Sequence, residues 1–255
     1  MSLKIGLILL FTSFCCCQSS LATPSLNDIG IIGGHEISIE KVPYIASLRL
    51  DGIKHTCGAS IIHDRFALTA AHCIKPLRRY RILVGTDKVD DGGKLYDVEK
   101  IIMHESYSEK TYDNDICVLK LNETFTFGKT VKKISLIDKR RKIQPGTMLK
   151  TTGWGYTTPQ GNISKTLNQV SVPVVSPKTC KVIFVHRLNI TRGMICAGGN
   201  GKDACSGDSG GPLTLKGMQV GITSCGAGCG QEPGIYAKIS LFLPWIKKTI
   251  EQNLH

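Results

Sequence analysis

Gly207-Asp208-Ser209-Gly210-Gly211-Pro212 is the segment of this chain best suited to covalent chemistry. A serine hydroxyl is a weak nucleophile at neutral pH and needs an adjacent base. Glycines on both sides admit unusual dihedrals and let the backbone approach a substrate carbonyl closely. In such a loop the N–H groups of Gly207 and Ser209 can point at a developing oxyanion. A base is available in Thr69-Ala70-Ala71-His72-Cys73, where Cys73 and the upstream Cys57 offer a disulfide that would fix the segment. The six other histidines (His35, His55, His63, His104, His186 and His255) have no comparable flanks and read as surface or ordinary hydrogen-bonded residues. Asp115 opens the apolar run 116–121, which reads as a buried strand. A carboxylate at that edge can accept a hydrogen bond from an imidazole and hold its useful tautomer, whereas Asp113 reads as a strand-capping acid.

These residues need a scaffold, and the chain spells one out as short strands cut by turn residues. Runs 44–50, 60–62, 81–84, 97–103 and 116–121 are strand candidates in the first half, and 148–152, 169–175, 212–215, 220–224 and 234–239 in the second. With 27 glycines and 42% hydrophobic residues over 255 positions, this spacing predicts an all-β sandwich or barrel. Near the C-terminus, Ile246, Ile250 and Leu254 recur every four residues after Pro244, which predicts a helix with one buried stripe. Trp245 is its expected core anchor, set against the second half of the fold.

The first residues carry an address. Lys4, a short apolar run over 5–14 and the small residues Ser20-Leu21-Ala22 predict a signal peptide over 1–22. The polar stretch 23–30 then reads as a propeptide. Export makes disulfides the default for the eight cysteines that follow, and three sequons, at Asn122, Asn162 and Asn189, agree with it. The formal net charge is +12, but the densest basic run is only Lys139-Arg140-Arg141-Lys142. A solvated basic surface is expected, with a polyanion or acidic-partner role as the alternative, and there is no nucleic-acid motif and no membrane span.

Ile31-Ile32-Gly33-Gly34, Ala70-Ala71-His72-Cys73, Asp115-Ile116, Gly153-Trp154-Gly155 and Gly207 to Pro212, in this order from Ile31 to the C-terminus, resemble the chymotrypsin/trypsin family. The resemblance implies a protease domain over 31–255 made of two six-stranded antiparallel β-barrels with a C-terminal α-helix and a cleft between the barrels. It implies that Ser209 attacks a peptide carbonyl, His72 transfers the proton and Asp115 orients His72. Gly207 and Ser209 would form the oxyanion hole, and Ser224 would support Asp115. Disulfides Cys57–Cys73, Cys180–Cys196 and Cys205–Cys229 follow by the same match. Cys117 then reads as a buried free thiol, with a Cys117–Cys225 bridge as the alternative.

The matched frame puts Asp203 at the base of a specificity pocket walled by Gly226 and Gly234, which implies selection of Arg or Lys. Cys225 departs from the family, which usually carries Trp there, so looser selection upstream of the cut is expected. The family's zymogens are cut before the Ile31 equivalent, and the new ammonium pairs with the Asp208 equivalent. Here the preceding residue is Gly30, and no Lys or Arg occurs over 23–30, so the expected activator is a protease of different specificity. No cofactor or required metal is expected; Asp87, Asp90 and Asp91 do not line up with the family's calcium loop. The expected partners are protein or peptide substrates, an activating protease and protein inhibitors, acting on a secreted monomer. The competing reading is a non-catalytic, protease-like binding or regulatory protein.

Overall fold

Alternating and β-branched runs can bury one face only by pairing, and antiparallel strands without free edges close into barrels. The computed structural model describes residues 31–138, 140–158 and 161–254. The expected signal peptide and propeptide, Lys139 of the basic run and His255 lie outside the described residues.

The first barrel follows a two-residue strand, β1 (His35–Glu36), and comprises β2 (Ile45–Leu50), β3 (Lys54–His63), β4 (Phe66–Thr69), β5 (Tyr80–Val84), β6 (Lys94–Met103) and β7 (Cys117–Leu121). They close in the order β2-β3-β4-β7-β6-β5. The short β8 (Ser135–Leu136) leads into the second half. There β9 (Met148–Gly153), β10 (Asn168–Val175), β11 (Met194–Ala197), β12 (Pro212–Leu215), β13 (Met218–Cys225) and β14 (Gly234–Lys238) close through β10-β11-β14-β13-β12-β9. The pairing of β9 with β10 completes the ring. The chain is thus all-β, with two closed six-stranded antiparallel barrels and a C-terminal helix, a chymotrypsin-like fold.

The apolar positions of facing strands fill each barrel. Ile61, Leu68, Ile82 and Leu119 are fully buried in the first, and Leu149, Val172, Leu213 and Ile222 in the second. Truncating one of these, as in Leu119→Ala, costs about 2–5 kcal/mol in comparable cores. The barrels are also stitched together by polar contacts. Ser60 Oγ on β3 donates to Gln219 Oε1 on β13 at 2.7 Å, with both side chains buried.

Several boundaries differ from the sequence reading. The β3 strand runs ten residues rather than the three of 60–62, because its Gly58 and Cys57 still pair with β2. Strands β4 and β11, four residues each, are buried throughout and show no polar/apolar alternation to mark them. A helix, α1 (Pro177–Ile183), is capped by Ser176 Oγ, which accepts from Thr179 N, with Pro177 in its first turn. The C-terminal helix, α2 (Ile239–Glu251), begins before Pro244 and carries it inside. As the sixth residue, Pro244 has no N–H to give the Ser240 carbonyl, so one helical bond is missing there. Its buried residues are Ile239, Phe242, Ile246 and Thr249. Leu254 is exposed, and Trp245 is half-buried, packing on the edge of the main core while leaning on His104 and donating to Glu105 Oε2 at 2.9 Å.

Three disulfides form, Cys57–Cys73, Cys180–Cys196 and Cys205–Cys229. Cys117, fully buried, and Cys225, half-buried, are both free, so no bridge joins them. Burial pushes the Cys117 thiol well above its ordinary range. Asp90 holds Arg49 at 3.0 Å.

Candidate active site

The antiparallel pair β4–β7 brings His72 and Asp115 together. Thr69 at the end of β4 opposes Cys117 at the start of β7, so the segments just beyond them emerge at one barrel end. His72 sits in a single 3-10 turn, Ala71–Cys73, that the Cys57–Cys73 bridge ties to β3. Asp115 is 1% exposed. Its Oδ2 accepts from His72 Nδ1 at 2.7 Å, and its Oδ1 accepts from the His72 backbone N–H at 2.9 Å. With an acceptor-only carboxylate at Nδ1, that nitrogen carries the proton and Nε2 is left as the base.

The same Asp115 Oδ2 accepts a 2.5 Å hydrogen bond from Ser224 Oγ on β13. The β13–β14 register slips between Thr223 and Cys225, and this bulge re-aims Ser224 across the cleft toward the first barrel. Asp113, by contrast, accepts from Asn114 N and Thr191 Oγ1, as a loop-organising acid would.

Ser209 lies on the loop before β12. Its carbonyl accepts from Gly58 N of the first barrel at 2.7 Å, which sets the loop's depth in the cleft. The Asp208, Gly210 and Gly211 N–H groups all donate to backbone carbonyls of the fold. Among the described residues, the Gly207 and Ser209 N–H groups donate to nothing. Both N–H groups are thus left able to meet an anion from outside the loop. Gly207 has φ of +97°, a backbone conformation that favours glycine. No hydrogen bond joins His72 to Ser209 among the described residues; His72 Nε2 instead faces Cys73 Sγ at 3.9 Å.

Sequence reasoning missed one partner of this loop. His55, read as an ordinary histidine, is buried with Nε2 2.9 Å from the Gly207 carbonyl oxygen and Nδ1 2.8 Å from Ser47 Oγ. The carbonyl can only accept, so Nε2 donates and Nδ1 accepts from Ser47. Burial lowers the His55 pKa to about 4 and keeps it neutral. Its sequence neighbours give no hint of a contact 152 residues away.

Below Ser209 opens a cavity of about 150 Å³, the size of one extended side chain. Ser209, Thr223, Ser224, Cys225, Gly226, Gly234 and the Cys205–Cys229 bridge line it, with Asp203 among them. Asp203 is 1% exposed and accepts from Ala204 N at 2.8 Å. Burial raises its pKa to about 7, because backbone N–H groups compensate only part of the lost hydration. A Cβ on Gly234 would come within 2.6 Å of Asp203 Oδ1, so that wall must be glycine to leave the acid reachable.

Asp208 points the other way, into the protein. Its oxygens accept from Gly155 N at 2.8 Å and Cys205 N at 2.9 Å. Burial raises its pKa to about 7, and no cation pairs with it among the described residues. Ile31 is fully buried in the main core. Cys57, His72 and Cys73 place ligand atoms within 4.8 Å of one another. Both sulfurs are consumed in their disulfide, so this donor set suits no metal. No helix among the described residues is long and apolar enough to cross a membrane.

The comparisons with known proteins agree with this geometry. The family model Trypsin matches residues 31–246. The chain is 37% identical to Trypsin 5G1 of Aedes aegypti, over 86% of this chain and 84% of that protein. It is 36% identical to the Vitellin-degrading protease of Bombyx mori, over 96% and 94% of the two chains. Its identity to Cationic trypsin-3 of Rattus norvegicus is 37%, over 89% and 92%. The chain therefore belongs to the trypsin family and is a serine-type endopeptidase.

Proposed function

We propose that this chain is a secreted zymogen whose mature form begins at Ile31 and cleaves peptide bonds after Arg or Lys through Ser209, His72 and Asp115. The observation that carries the specificity is Asp203, a buried carboxylate in the one-side-chain cavity that Ser209 also lines. A cationic side chain would pair with the ionised acid, whereas an apolar one would fill the cavity without that ion pair and leave the acid to protonate. The trypsins among its relatives support the same class of substrate.

In the reaction, Ser209 Oγ adds to the scissile carbonyl as its proton passes to His72 Nε2. Asp115, already bonded to Nδ1, stabilises the imidazolium that results. The free Gly207 and Ser209 N–H groups receive the oxyanion, each worth about 3 kcal/mol in the transition state. His72 then gives its proton to the departing amine, leaving an acyl-enzyme that water opens by the same steps reversed. Substrate draws His72 and Ser209 into contact, since catalytic hydrogen bonds are often long before it binds.

Activation rests on Ile31 and Asp208. Cutting after Gly30 creates an ammonium at Ile31, and Asp208 is a buried acid that lacks a cation. Their pairing would hold the 207–209 loop in its working shape. Because Gly30 is no substrate for an Arg/Lys-specific enzyme, the activating protease has a different specificity. Two measurements test the proposal. Sequencing the N-terminus of the natural secreted protein is expected to read Ile31-Ile32-Gly33-Gly34; any other start overturns the activation scheme. Digesting a random peptide library is expected to give cuts after Arg and Lys, and cuts predominantly after other residues overturn the specificity.

A further inference from the structure

A groove of about 530 Å³ lies on the second barrel, between the segment 141–145, the passage from β10 into α1, and β11. It shares no residue with the cavity under Ser209. Five cations line it, Arg141, Lys142, Lys181, Arg192 and Lys238, and no carboxylate does. None of the five enters an ion pair among the described residues, whereas Arg65, Arg81, Lys94, Lys133 and Arg187 each hold an acid elsewhere on the surface. Like charges gathered without a counter-charge repel, and an external anion relieves them.

The floor between these cations is apolar, formed by Ile143, Pro145, Val175, Pro177, Met194 and Ile195. It is also rigid. The β10–β11 pairing joins Val175 to Cys196, and the Cys180–Cys196 bridge ties α1 to β11. A preformed groove loses little freedom on binding. A sulfated sugar would use the charges but gain nothing from an apolar floor, whereas a peptide with carboxylates and apolar side chains uses both.

We propose that this groove docks an acidic segment of a partner protein, one that carries apolar side chains among its carboxylates. The occupant would meet Lys181 and Arg192 with its acids and the floor with its apolar residues, independently of the cleavage site.

The test is fluorescence anisotropy with the Ile31-started Ser209→Ala protein, at physiological salt, using a labelled twelve-residue peptide that alternates Glu with Leu and Phe. Binding is expected, weakened about tenfold or more by the double substitution Lys181→Glu and Arg192→Glu on the exposed rim. A peptide of equal charge with Ser in place of Leu and Phe is expected to bind about tenfold more weakly. In the Ser209-containing protein, the same double substitution is expected to leave cleavage of a small amide substrate unchanged, which shows that the variant is folded. No binding, binding indifferent to the rim substitutions, or a heparin oligosaccharide that competes for the groove as tightly as the apolar peptide would each overturn the proposal.

Discussion

His55 Nε2, on the first barrel, donates to the Gly207 carbonyl oxygen at 2.9 Å on the second. The bond crosses the interface between barrels and fixes the peptide that follows Gly207 N, one of the two free N–H groups proposed to receive the oxyanion. His55→Ala is expected to lower kcat by about tenfold to a hundredfold with little change in KM, since a buried acceptor loses its donor and the loop its anchor. The histidine must also stay neutral, with its pKa held at about 4 against an ordinary 6.5. Its contribution to stability is complete above pH 6.5 and is lost as pH falls from there through about 4. His55→Gln, which keeps a donor but does not titrate, is expected to flatten the melting temperature over that window relative to the unaltered protein.

Asp203 is expected to make cation binding pH-dependent. Its pKa in the empty pocket is raised to about 7 by burial. A bound amidinium requires the ionised acid, so the affinity for benzamidine is expected to rise with pH, by up to about tenfold per unit below 7, and to level off above it. Titration calorimetry across pH 5–9 measures this directly. Asp203→Asn is expected to remove the pH dependence together with most of the affinity.

Asp115 and Ser224 are expected to differ sharply in importance. Asp115→Asn keeps the shape but places an amide against His72 Nδ1, which turns the imidazole to the wrong tautomer. A loss of about 10⁴-fold in kcat is expected, as in other enzymes with this triad. Ser224→Ala removes one hydrogen bond to the charged carboxylate and is expected to cost about tenfold to a hundredfold. Amide hydrolysis by the two variants at saturating substrate compares them.

Cys225 occupies a cavity wall with much less surface than an aromatic ring offers. A buried Trp covers roughly 150–250 Å², which a thiol cannot match. Cys225→Trp is expected to sharpen preference for apolar residues upstream of the cut while leaving Arg/Lys selection in place. A peptide-library profile indistinguishable from that of the unaltered protein would refute this. Burial raises the Cys225 thiol to about 11, so slow alkylation by iodoacetamide at neutral pH is also expected.

The parts that were legible in the sequence are those whose chemistry is local. The motifs single out His72 and Asp115, which the structure brings into hydrogen-bond contact, and the alternating runs predict most strands of both barrels. The three cysteine pairs form as the family resemblance implies. What was not legible depends on tertiary distance. The His55–Gly207 bond and the groove lined by Lys181, Arg192 and Lys238 join residues with no shared sequence pattern. Strands β4 and β11 are buried throughout and do not alternate, so the sequence does not mark them, yet their neighbours in the barrel fix them. The α2 helix starts before Pro244 because Ile239 and Phe242 bury against the fold, which outweighs the local signal of a proline start.

The most direct test of the account is labelling of the Ile31-started protein with a fluorophosphonate, followed by mapping of the adduct by mass spectrometry. The account expects a single adduct on Ser209 Oγ, lost in His72→Ala and suppressed by excess benzamidine in the Asp203 pocket. An unlabelled Ser209 in protein confirmed to begin at Ile31 would contradict it.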